Sequence, residues 1–188
     1  MGRKMRLLAI SGSLRAASSN TILLGAAGLL VPEGVEVVVS DMIGKLRHFN
    51  PDLDAEGMKP PREVAALRSQ IAAADGLLIS TPEYAHGLPG VLKNALDWLV
   101  SSIEFHGKPV AILNASPRAT YAMESLLEIL KTMNAAVVTD ACVSVPLIGR
   151  SLDVNDIVAD PAISADVRAA LRVFIEAIRE RDRTGRRG

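Results

Sequence analysis

The stretch MRLLAISGSLRAASSNTILLGAAGLLV, residues 5–31, sets two patterns side by side. RLLAIS (6–11) is a continuous apolar run of strand length, and TILLGAAGLLV (21–31) carries a helical period. Between them stand hydroxyls at Ser11, Ser13, Ser18 and Ser19, the guanidinium of Arg15 and the amide of Asn20. An unbroken apolar strand reads as buried on both faces, as in a parallel sheet. A strand that passes through a short polar loop into a helix is the opening unit of an α/β fold.

The same alternation repeats along the chain. Further apolar runs occur at 35–40, 76–81, 109–114 and 135–140, with helical periods at 20–31, 61–74, 88–101 and 119–133. Near the C-terminus Val167, Leu171, Phe174 and Ile178 recur at spacings that make one apolar helix face, and Ser164 is the expected N-cap. Five strand–helix units predict an open, doubly wound sheet with helices on both faces. Residues 41–60 lack a period and read as a long surface loop, and 182–188 as a frayed tail of a single domain spanning 1–188.

Composition narrows the function classes. The chain has 188 residues, 49% of them hydrophobic, enough for one substantial core. Twenty-one basic residues balance 21 acidic ones, so no net field favours nucleic acid or an anionic membrane. The lone cysteine, Cys142, precludes an internal disulfide and suits a reducing, cytoplasmic compartment. No apolar run is long enough to span a bilayer. His48, His86 and His106 lack metal-ligand spacing and there is no HExxH or CxxC, so no metal site is expected.

In an open α/β sheet, ligands bind beyond the carboxyl ends of the strands where the strand order reverses. The loop SGSLRAASSN (11–20) lies at such an end. Hydroxyl donors, a guanidinium and a helix N-terminus suit a phosphate dianion. The alternative is a polar connection whose serines cap the helix. Walker A, GxGxxG and GxSxG patterns are all absent. A second polar loop, TPEYAHGLPG (81–90), follows the third strand and offers an aromatic, a carboxylate and exposed backbone to the rim of a planar ring. In the helix after it, Lys93 and Asp97 are spaced for an i,i+4 contact.

Together the two stretches resemble the NADPH-dependent FMN reductase family. Gly12, Ser13, Leu14, Arg15, Ser18 and Asn20 match a first motif of roughly GSLRxxSxN. Pro82, Glu83, Tyr84, Pro89, Gly90, Leu92, Lys93, Asn94, Ala95, Asp97 and Trp98 match a second, PEYNxSxPGxLKNAxDW. The resemblance covers roughly residues 5–145 and implies a flavodoxin-like, five-stranded parallel sheet. It implies that Ser13, Arg15, Ser18 and Asn20, with the Ser19 backbone, hold the FMN phosphate. It places Pro82, Glu83, Tyr84 and Ala85 along the isoalloxazine ring, and Ser116 of NASPRA (114–119) on its pyrimidine side. Two departures stand out: Ala85 and Gly87 replace the family's asparagine and serine, and the third loop lacks the glycines frequent there.

The resemblance further implies an NADPH- or NADH-dependent oxidoreductase. Hydride passes through FMN to a quinone, flavin, azo or metal-oxyanion acceptor, and no protein group is required as a catalytic residue. It implies a homodimer or homotetramer. A flavodoxin-type electron carrier is one competing reading, weakened because such carriers are usually strongly acidic. A non-catalytic, flavin-binding regulatory domain is the other.

Overall fold

The computed structural model describes residues 3–147 and 149–185. The first unit is β1 (Met5–Ser11), α1 (Ser19–Leu30) and β2 (Val35–Val39). Next come α2 (Arg62–Ala72), β3 (Gly76–Ser80), α3 (Gly90–Asp97), β4 (Pro109–Asn114) and α4 (Thr120–Thr132). The chain then forms β5 (Ala136–Val137), β6 (Val143–Ser144), α5 (Val154–Ala159) and α6 (Pro161–Gly185).

The strand order is β2-β1-β3-β4-β5, every named pairing is parallel, and β6 pairs with β4. This is the flavodoxin-like order. All residues of β3 and β4 are buried, as their unbroken apolar sequences demand. Because successive strand residues face opposite ways, the sheet feeds two cores. Leu7, Ala9, Leu78, Ala111 and Leu113 face one way and pack with α1, α5 and α6. Leu8, Ile10, Leu77, Ile79, Val110 and Ile112 face the other and pack with α2, α3 and α4. Val167, Leu171, Phe174 and Ile178 of α6 all lie in the first core, as their spacing predicts. Each fully buried leucine contributes roughly 1.5–3 kcal/mol of transfer free energy.

Several local expectations are corrected. The run at 135–140 is not one strand. It leaves β4 after Val137, makes a 3-10 turn at Thr139–Ala141 and returns to the same β4 edge as β6. The fifth strand position is therefore shared by two short segments. Ser164 does not cap α6, which begins at Pro161. The Asp160 carboxylate accepts from Ala162 N and Ile163 N, both at 3.1 Å. Proline supplies a preset φ there, and aspartate meets the orphan amides. Helix α3 ends at Asp97, short of the expected 101, and continues as turns.

The 41–60 segment carries two 3-10 turns, Ile43–Lys45 and Pro51–Leu53, and is pinned to its neighbours. Asn94 accepts from Phe49 N at 2.7 Å and donates to Arg47 O at 3.0 Å. Trp98 Nε1 donates to Arg47 O at 2.8 Å, and the Phe49 ring meets Trp98 edge-on at 5.1 Å. Arg68 binds both Asp54 carboxylate oxygens and the Trp98 carbonyl. Lys93 and Asp97 form the expected i,i+4 ion pair. Helix α6 runs to Gly185, into the segment expected to fray, and 186–188 lie outside the described residues.

Candidate active site

After β1 the chain crosses to β2 on one side, and after β2 it crosses back to β3 on the other. The loops following β1 and β3 therefore part, with α1 on one face of the sheet and α3 on the other. A cleft of about 370 Å³ opens there, and the loop after β4 closes its third side. Its lining is Ser13, Arg15, Ser18, Ser19 and Asn20 from the first loop, Pro82, Glu83 and Tyr84 from the second, and Ala115, Ser116, Arg118 and Ala119 from the third. Nine of the ten residues singled out from the sequence thus meet around one cavity. Ala85 alone stands outside its lining, in the turn beyond Tyr84.

The first loop is shaped by short internal bonds. Ser18 caps α1, its Oγ accepting from Thr21 N. Ser11 Oγ lies 2.7 Å from Thr21 Oγ1, and Ser13 Oγ accepts from Arg15 N at 3.3 Å. Gly12 N donates to Ser80 O at 2.8 Å, which draws the loop against β3. A Cβ at Gly12 would come within 2.2 Å of Thr81 Oγ1, so only glycine fits this approach. Asn20 is buried, and its Oδ1 accepts from Ser80 Oγ at 2.9 Å, which leaves its NH2 as a donor. Capping and ligand binding are thus not alternatives here. Ser18 does the first, while Arg15, exposed and without a side-chain partner among the described residues, is available for the second.

The second loop ends in a two-residue hairpin. Tyr84 and Gly87 exchange both backbone hydrogen bonds, with Ala85 and His86 between them at φ 49° and 57°. Two positive φ values make this a type I′ turn. The turn holds Tyr84 over the cleft, 56% exposed. Two contacts fasten this loop to the start of α4. Glu83 Oε2 accepts from Ala122 N at 2.9 Å, and the His86 ring stacks on Tyr121 at 4.4 Å. Glu83, read from the sequence as a ring neighbour, is thus also an N-terminal cap for another helix.

In the third loop Ser116 N donates to Asn114 Oδ1 and Ser116 Oγ accepts from Arg118 N, at 3.0 and 3.1 Å. Arg118, Ala115 and Ala119 also line the cleft, whereas the family resemblance singles out only Ser116 in this loop. A second arginine immediately before the helical period at 119–133 was the signal available. The first loop suits a phosphate: it offers the α1 N-terminus, three serine hydroxyls, an amide donor and a guanidinium to the cleft. The remainder is a polar-rimmed slot of a size suited to a flat ring.

Residues 5–149 match the NADPH-dependent FMN reductase family. The chain is 43% identical over 138 residues to an NAD(P)H-dependent FMN reductase of Pseudomonas aeruginosa, covering 69% of this chain and 73% of that one. It is 34% identical over 142 residues to a quinone reductase of Escherichia coli K12, covering 71% and 74%. Among solved structures it is similar to FerB, a flavoenzyme NAD(P)H:(acceptor) oxidoreductase of Paracoccus denitrificans. The TM-score is 0.76 at 26% identity, covering 94% of this chain and 98% of that one.

Proposed function

Because the chain belongs to the NADPH-dependent FMN reductase family, we propose that its cleft holds FMN with the phosphate on the 11–20 loop and the ring between the second and third loops. The protein is an oxidoreductase that uses FMN and takes its electrons from NAD(P)H. One observation carries the orientation. Ser13, Arg15, Ser18, Ser19 and Asn20 come from the loop after β1 and the start of α1, whereas Pro82, Glu83 and Tyr84 come from the loop after β3.

In this arrangement Arg15 neutralises phosphate charge, the serines and Asn20 donate to its oxygens, and the Ser19 amide adds the helix end. Pro82, Tyr84 and the backbone at Ala85 border the ring, and Ser116 with Ala115 closes its far side. Bound FMN supplies hydride acceptance from the nicotinamide and onward transfer to the acceptor. The protein's share is to position the ring and leave one face open to both partners in turn. That sharing makes ping-pong kinetics the expected form. The acceptor is a small molecule, and a quinone is the class the relatives favour. A single domain over 1–188, functioning as a homodimer in the cytoplasm, completes the proposal.

The test is spectroscopic. The protein should bind added FMN with a shifted visible spectrum, and anaerobic NAD(P)H should bleach it. Arg15→Ala should weaken FMN binding by roughly 10- to 100-fold, since a charge-assisted hydrogen bond contributes about 1.5–3 kcal/mol. Riboflavin, which has no phosphate, should be almost unaffected. Equal losses for both ligands would remove Arg15 from the phosphate site.

A further inference from the structure

The cleft carries a second arginine on a different loop from the one that suits a phosphate. Arg15 lies on the loop after β1 and Arg118 on the loop after β4, with the loop after β3 between them, because β3 separates β1 from β4 in the sheet. Both arginines line the cavity, and neither guanidinium has a hydrogen-bond or ion-pair partner among the described residues. Other arginines, such as Arg68 and Arg150, are held by carboxylates. The single carboxylate in the lining, Glu83, is engaged at the α4 N-terminus through Ala122 N. Helix α4 begins there with Ala119 as its N-cap, which supplies no side-chain acceptor. The cleft therefore carries an arginine on each of two loops that the loop after β3 separates, each loop leading into a helix N-terminus.

Phosphate binding accounts for Arg15 and leaves Arg118, on the loop after β4, without a partner. Resting on the proposed FMN orientation, we infer that Arg118 is the charge partner of the reduced flavin ring. Accepting a hydride from the nicotinamide adds two electrons and one proton. The neutral oxidised ring thus becomes a monoanion, while the donor leaves as NAD(P)⁺. That charge appears on the ring, on the side of the slot away from the phosphate loop. A guanidinium there stabilises the reduced form over the oxidised one and raises the potential of bound FMN. Arg118 stands in the loop that lacks the glycines frequent in the family, so a side-chain cation replaces bare backbone at this edge of the ring.

Oxidised FMN, fully reduced FMN and riboflavin are titrated anaerobically into the wild type, Arg118→Ala and Arg118→Lys, and the midpoint potential of bound FMN is measured. Arg118→Ala should weaken reduced FMN about tenfold more than oxidised FMN, which lowers a two-electron potential by about 30 mV. Arg118→Lys should recover most of that shift. The ratio of FMN to riboflavin affinity should stay at the wild-type value. Equal weakening of both redox states would overturn the inference. So would loss of FMN preference over riboflavin, which would move Arg118 to the phosphate. An altered NAD(P)H KM with an unchanged potential would assign it instead to the electron donor. Failure of the wild type to bind FMN would sink the functional proposal itself, a result distinguishable from all of these.

Discussion

Ala85 holds φ at 49°, where a Cβ crowds the following carbonyl, and His86 beside it holds 57°. Such conformations cost ordinary residues about 1–2 kcal/mol each, and glycine or asparagine tolerates them better. Ala85→Gly should therefore raise stability by about 0.5–1 kcal/mol, the relief of strain exceeding the greater chain entropy of glycine. A higher urea midpoint with an unchanged slope is the expected reading, and a lower midpoint would mean that the turn is not strained. At this scale the sequence was legible where chemistry clusters: six polar residues in eleven positions mark the first loop. It was illegible where a residue acts across space. Nothing near Glu83 in the sequence announces Ala122, and nothing near Asn94 announces Phe49.

Between elements, the tie of residues 41–60 to α2 and α3 has a titratable centre. Burial pushes the Asp54 carboxyl up, but hydrogen bonds from Arg68 and Ser101, with the Arg68 charge, more than reverse this and hold it below the usual carboxylate range. A carboxyl lowered on folding stabilises the folded state fully above its unfolded pKa, and that contribution is lost as pH falls through the lower, folded value. Acidification should thus release the 41–60 segment to protease before the sheet unfolds, whereas Asp54→Asn should cleave readily even at neutral pH. Identical digestion of both proteins at all pH values would contradict this. Elements were legible in proportion to their length and burial. β1, β3 and β4 read directly because burial on both faces leaves an unbroken apolar run. The fifth run misled, since AAVVTD is apolar enough for a strand yet turns away at Thr139. Helix α5 was overlooked as only six residues, although Asp153 and Asp156 form its capping box.

For the whole molecule, the question is what meets the surface beyond α3. Of the apolar residues in 88–101, Leu92, Leu96, Trp98 and Leu99 are buried within the chain, with the Phe49 ring edge-on to Trp98. Val100 and Ile103 remain, 68% and 84% exposed. The proposed homodimer would cover them. Light scattering should give twice the chain mass, and Ile103→Glu should shift the protein toward monomer with lower activity. A fully active wild-type monomer at micromolar concentration would refute it. The divided fifth strand has another bearing on how copies of this chain meet. An edge strand offers a row of backbone donors and acceptors on which a foreign strand can template. Here that row is only two residues long before the 3-10 turn at Thr139–Ala141 swings the backbone away, and only two more follow. Intermolecular strand addition would find too short a ladder to nucleate on this side. The interruption that the apolar run at 135–140 conceals is thus a barrier to fibrous association through this edge.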